Sequence, residues 1–169
     1  LDGLADTADA WIGGQGDRNR TLTIMKDPRS GPIAIVALVL VLLIKFAALQ
    51  ALLAGDAGIL LLLTPVLGRA IIVLLLITTP YIRPEGLGAP YASYLPRLSC
   101  SLLVLLIAAA TVALLEWQGG VLLVALGIGW IGLRHELMGR LGGATGDTLG
   151  AACELAETIA LLTPVLLAE

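Results

Sequence analysis

Residues 33–54 read IAIVALVLVLLIKFAALQALLA, twenty-two residues with a single charge, Lys45. A helix of that length reaches about 33 Å, enough to cross a hydrocarbon core of roughly 30 Å. Four further stretches meet or approach the same requirement. They lie at about 57–80, with Pro65, Gly68 and Arg69 near the middle, at about 99–116, at about 119–134, which is glycine-rich and short, and at about 148–168. None alternates in the way a barrel strand must. The expectation is an all-α, polytopic integral membrane helix bundle with about five transmembrane helices. It forms one membrane domain over 1–169, with a motif region at 1–32 and the bundle at 33–169. Polar loops are expected near 81–98 and 134–147.

The connectors carry turn chemistry. Ala54-Gly55-Asp56 and Gln118-Gly119-Gly120 read as tight links. Pro80, Pro84, Pro90 and Pro96 prevent residues 80–98 from forming one helix. Composition agrees with a membrane protein. Charged residues are 14% of the chain, against roughly a quarter in a soluble domain, too few to cover a globule in water. A net charge of -3 gives no attraction for nucleic acid. Cys100 and Cys153 sit in apolar surroundings without CxxC spacing and read as packing residues. The sequence opens at Leu1 inside an acidic motif, so further chain is expected to precede it.

The distribution of basic residues tests the five-span reading. Arg18, Arg20, Lys26 and Arg29 precede the first span, Arg83 and Arg97 lie between the second and third, and Arg134 and Arg140 between the fourth and fifth. With alternating loops, all eight fall on one face. The other face receives Asp56, Glu116 and Glu169. By the positive-inside rule the basic face is cytoplasmic. Lys45 and Arg69 remain within spans.

Polar chemistry gathers in four segments of the basic face. Residues 1–14 read LDGLADTADAWIGG, and the 4- and 3-residue spacings of Asp2, Asp6 and Asp9 place three carboxylates on one helix face. Alone they repel one another. A hard divalent cation, Mg²⁺ or Mn²⁺, relieves that repulsion and suits all-oxygen ligands. Residues 17–31, DRNRTLTIMKDPRSG, bring Arg18, Arg20, Lys26 and Arg29 close in sequence, as a phosphate or diphosphate requires. Residues 80–88, PYIRPEGLG, hold Arg83 and Glu85 in a loop shaped by proline and glycine. Residues 142–157, GGATGDTLGAACELAE, set Asp147, Gly150, Glu154 and Glu157 on one face of the last span. Glu154 and Glu157 lie where carboxylates are costly and are expected to face the bundle interior, paired with Lys45, Arg69 or a metal. GGATGD lacks the GK[ST] ending of a P-loop. His135, between Arg134 and Glu136, reads as a surface residue.

Together, LDGLADTADA at the start, IMKDPRSGPIA at 24–34, YIRPEGLG at 81–88 and LGGATGDTLGAACELAE at 141–157 resemble the cobalamin synthase family of adenosylcobinamide-GDP ribazoletransferases. The motifs occur in the family's order with similar spacing. Members of that family carry additional hydrophobic sequence ahead of the DGLAD motif. The resemblance implies a multi-pass enzyme of the bacterial or archaeal cell membrane that requires Mg²⁺. It implies the substrates adenosylcobinamide-GDP and α-ribazole or its 5′-phosphate, and the products adenosylcobalamin, or its 5′-phosphate, and GMP. Contact with membrane lipid, a homo-oligomer or a complex with other enzymes of B12 assembly would be in keeping with it. A looser likeness to CDP-alcohol phosphotransferases is chemical only, because Asp6 stands where their DGxxAR pattern has arginine.

On this reading Asp2, Asp6 and Asp9 hold the metal. One of them, or Asp27 or Asp147, accepts the proton of the attacking hydroxyl. Lys26, Arg29 and Arg83 contact phosphate, and Glu154 and Glu157 support the site. Two rivals are a lipid-type CDP-alcohol phosphotransferase and an ion-coupled transporter relaying charge through Lys45, Arg69, Glu154 and Glu157.

Overall fold

The computed structural model describes residues 1–55 and 58–167. Asp56 and Glu169, counted above on the far face, lie outside the described residues. Seven helices are found among the described residues: α1 (Asp2–Gly13), α2 (Arg18–Ile24), α3 (Pro32–Leu53), α4 (Gly58–Thr78), α5 (Ala89–Ser93), α6 (Arg97–Arg140) and α7 (Gly146–Leu167). The short α2 lies in the motif region at 1–32, and α5 in the proline-bearing loop at 80–98.

Four helices, α3, α4, α6 and α7, are long and apolar enough to cross a membrane. With 44 residues, α6 would reach about 66 Å if straight, twice the hydrocarbon thickness. It is not straight. Glu116 has φ 52° and ψ −130°, and there the helix breaks. Ile107 and Ala108 of the first arm share a cavity wall with Leu123, Leu126 and Gly127 of the second, so the arms fold back as an antiparallel pair. With α6 counted as two arms, the described residues hold five apolar segments that could cross a membrane, the number expected, but the turn is misplaced in the sequence reading. The reversal falls on Glu116, not on Gln118-Gly119-Gly120, and the fourth pass continues to Arg140 instead of ending near 134. Gly119 has a different duty. A Cβ there would stand 2.5 Å from the Thr111 carbonyl oxygen, so its missing side chain lets the arms close.

The helices start where the chemistry allows. Asp17 caps α2 by accepting a hydrogen bond from the Arg20 amide at 2.8 Å. Pro32 occupies the first turn of α3, where its missing N–H costs nothing. Thr145 and Thr148 cap the start of α7 reciprocally: the Thr148 hydroxyl accepts from the Thr145 amide at 2.8 Å, and the Thr145 hydroxyl accepts from the Thr148 amide at 3.3 Å.

The most enclosed helix, α7, packs against α1, α3, α4 and α6. Its small residues, among them Gly150, Ala152, Ala156 and Ala160, let neighbouring backbones approach, which drives packing in lipid. Three clusters stack along it. The first joins Leu149 and Ala152 to Leu75, Leu137 and Leu141, the second Ala156 and Ala160 to Leu67, Leu122 and Leu126, and the third Leu161 to Ala48, Leu52 and Leu60. Val39, Leu43, Phe46, Leu62, Leu105, Leu106 and Ile128 point outward and are exposed, an apolar belt suited to lipid.

Candidate active site

Two loops at one end of the bundle are laced together by backbone. Tyr81 and Ala144 form a parallel bridge in which the Ile82 amide donates to the Ala144 carbonyl at 2.9 Å and the Ala144 amide to the Pro80 carbonyl at 2.8 Å. Glycine permits the approach. A Cβ on Gly143 would meet Ile82 Cγ2 and the Pro80 carbonyl oxygen, each at 2.4 Å. The lacing carries Arg83 to the first turn of α7, where its Nη1 donates to Asp147 Oδ2 at 2.6 Å. The Nε and Nη2 of Arg83 are buried without a partner among the described residues. One edge of the guanidinium is therefore tied down, and the remaining donors are uncommitted.

Across this pair lies α1. Gly3 meets the start of α7 so closely that a Cβ would stand 2.5 Å from the Asp147 carbonyl oxygen and 2.9 Å from its Cα. Gly3→Ala is expected to push the two helices apart at a cost of about 1–3 kcal/mol. A thermal melt in detergent that matches wild type would contradict this packing.

The contact places the acidic face of α1 beside Asp147. Burial raises the Asp6 carboxyl above its ordinary value of 3.8, and the negative charges of Asp2, Asp147 and Asp9 push it further, with Arg83 pulling the other way. Carboxylates from α1 and α7 thus crowd one another around a single guanidinium.

Asp9 is engaged differently. Its carboxylate accepts hydrogen bonds from the Gly31 amide and, at 2.9 Å, from the Ala34 amide, closing the first turn of α3, whose own N-cap offers no side chain. Asp9→Ala is expected to lower stability by about 0.5–2 kcal/mol, the usual worth of such a cap. An unchanged melting temperature would argue against that role.

Lys26 and Arg83 share the wall of a cavity of about 460 Å³, lined also by Leu22, Ile82, Pro84, Glu85 and Gly86. Arg29 and Asp27 are absent from that lining and pair with each other on the surface, Nε to Oδ1 at 3.3 Å. The Arg29 backbone N–H holds the Asp27 carboxyl below the usual carboxylate range, which makes it a weak base. Glu154 and Glu157 lie deeper along α7, where Lys45 Nζ stands 2.6 Å from Glu154 and 2.8 Å from Glu157, and Arg69 pairs with Glu157. These ion pairs tie α3 and α4 to α7. They stand apart from the cavity that Lys26 and Arg83 line.

Two further basic residues close helix ends. Arg134 donates from Nε and Nη2 to the Thr78 carbonyl at the end of α4, at 3.2 and 3.1 Å. Arg140 donates to the Trp11 carbonyl near the end of α1 and stacks on that indole, 5.2 Å from the ring centroid. Sequence reasoning read them only as charge on the basic face. It also gave no role to Gly3 or to Leu22 and Ile82 of the cavity wall, which carry no local signal.

Among the described residues, no three acidic, cysteine or histidine side chains converge into a ready metal cage. That arrangement still fits Mg²⁺, which is commonly held by one or two carboxylates together with water and substrate phosphate oxygens. The mutual repulsion felt by Asp6 is what such a cation relieves.

A family model described as cobalamin-5-phosphate synthase matches residues 1–165. The chain belongs to the cobalamin-5-phosphate synthase family. Relatives named adenosylcobinamide-GDP ribazoletransferase include one from Pseudomonas syringae pv. syringae, 55% identical over 99% of this chain and 69% of its own length. One from Pseudomonas savastanoi pv. phaseolicola is 54% identical over 99% of this chain and 69% of its own length. One from Ectopseudomonas mendocina is 57% identical over 96% of this chain and 66% of its own length. No solved structure matches. All four motif segments of this cobalamin-5-phosphate synthase family member fall inside the matched residues, so the acidic helix, the Arg83 loop and the start of α7 belong to the part shared with the family.

Proposed function

We propose that the chain is the membrane-bound transferase its relatives are named for, joining adenosylcobinamide-GDP to α-ribazole or its 5′-phosphate and releasing GMP. The observation that carries the reading is the ion pair of Arg83 with Asp147, close enough to Asp6 of α1 for both to act on its charge, while Arg83 and Lys26 line one cavity. A ribose hydroxyl of α-ribazole attacks the phosphorus that bears cobinamide. The bond from that phosphorus to the bridging oxygen breaks, and GMP departs with the oxygen. Lys26 and the free donors of Arg83 bind the diphosphate and offset its charge, which otherwise repels the nucleophile. Asp147 holds the guanidinium in place by its ion pair. Asp6, its carboxyl raised above the ordinary carboxylate value by burial and by neighbouring negative charge, takes the hydroxyl proton. Asp2 is the group that would hold Mg²⁺ together with substrate phosphate oxygens, with Asp9 fixing the helix that bears both Asp2 and Asp6. A bound Mg²⁺ supplies charge neutralisation on the phosphate oxygens. The basic face is assigned to the cytoplasm of a bacterial inner membrane, in keeping with the positive-inside rule.

The test is GMP release from adenosylcobinamide-GDP by the chain in membranes, with and without α-ribazole and Mg²⁺. Release dependent on both supports the reading. Release of CMP from CDP-diacylglycerol, with none of GMP, would replace it with the lipid phosphotransferase.

A further inference from the structure

Glu85 is an exposed carboxylate in the wall of the cavity that Lys26 and Arg83 line. A carboxylate among phosphate-binding cations weakens the binding of a diphosphate unless it faces something that donates hydrogen bonds. Glu85 sits in that wall, and among the described residues it has no ion-pair or hydrogen-bond partner, although two cations line the same space. Local packing holds the loop in shape. Gly86 lies against the Tyr81 hydroxyl and Gly88 against the Tyr81 ring, with no room for a Cβ at either position. Beside the carboxylate, Leu22, Ile82 and Pro84 supply apolar surface. A volume of about 460 Å³ suits a nucleotide and is too small for a corrin ring with its side arms.

We infer that Glu85 reads the guanine of the substrate, its two oxygens accepting from guanine N1–H and N2–H while Leu22, Ile82 and Pro84 pack on the base. This rests on the reaction proposed above. The diphosphate offers no donor to a carboxylate. Guanine offers two, side by side at the spacing of carboxylate oxygens. Adenine presents an unprotonated N1 on that edge, so a lone pair faces the carboxylate and adenine is rejected.

The test follows adenosylcobalamin formation from adenosylcobinamide-GDP, with free GDP and free ADP as competing inhibitors, in wild type and in Glu85→Gln. Wild type is expected to bind GDP at least about 10-fold more tightly than ADP. In Glu85→Gln the preference should fall to about 3-fold or less, through weaker GDP inhibition, with ADP inhibition unchanged or tighter because a negative charge has left the cavity. Equal weakening of both nucleotides, unchanged GDP inhibition, or a wild type that does not prefer GDP would overturn the inference while leaving the proposed reaction standing. A wild-type chain that forms no product from adenosylcobinamide-GDP would overturn the reaction itself, and this inference with it.

Discussion

Asp6→Asn is expected to reduce GMP release by about 1,000-fold while leaving the protein folded and inserted, and even slightly more stable. The two effects have one cause. Burial and the charges of Asp2, Asp147 and Asp9 raise the Asp6 carboxyl above 3.8, so its ionised form strains the fold. A group whose folded value is raised contributes stability that is fully present in acid and is lost as pH rises through the folded value. At neutral pH that contribution is gone in the wild type. Asparagine mimics the protonated acid and restores it. The thermal midpoint of Asp6→Asn in metal-free buffer should therefore equal or exceed that of the wild type, and the gap should close as pH falls below the Asp6 value. Wild-type turnover should decline over the same acid range, because catalysis needs the carboxylate. A variant with near-wild-type GMP release would remove Asp6 from the chemistry, and a variant with a clearly lower midpoint would show that its carboxylate supports the fold.

Arg83→Lys is expected to cost about 100-fold in kcat/KM for adenosylcobinamide-GDP although the charge is kept. The guanidinium does two things at once. Nη1 is committed to Asp147 at 2.6 Å, and Nε and Nη2, without partners among the described residues, are the donors proposed for phosphate oxygens. An ammonium is a single point of charge and cannot keep the Asp147 contact while presenting a planar pair of donors. A loss of 3-fold or less, measured at matched protein levels in membranes, would mean that charge alone suffices and that the orientation set by Asp147 is immaterial.

What was legible in the sequence was whatever depends on neighbours a few residues apart. The apolar segments of the bundle follow from runs of apolar residues, and their proposed orientation from the one-sided placement of Arg and Lys. Asp2, Asp6 and Asp9 share a helix, as their spacing implies. The costly intramembrane carboxylates Glu154 and Glu157 have Lys45 and Arg69 as partners, two cations set deep in apolar runs. What escaped the reading depends on long-range contact. Asp9 caps a helix that begins over twenty residues later, and no local motif announces a cap supplied from another element. Arg83 reaches Asp147 only because Tyr81 and Ala144 bridge two loops more than sixty residues apart. The reversal at Glu116 escaped for the opposite reason. Local composition favoured the adjacent glycines, while close packing of the two arms fixed Gly119 at the crossing and left the unfavourable positive φ to Glu116.

A double-mutant cycle between Asp6 and Arg83, read as GMP release from adenosylcobinamide-GDP, tests most directly whether these segments act at one site. If they do, Asp6→Asn combined with Arg83→Lys should be scarcely worse than Asp6→Asn alone, about 1,000- to 3,000-fold below wild type, because residues that act as a unit are strongly non-additive. Losses that multiply to about 100,000-fold would mean that the two residues work independently, and would contradict their convergence on one diphosphate.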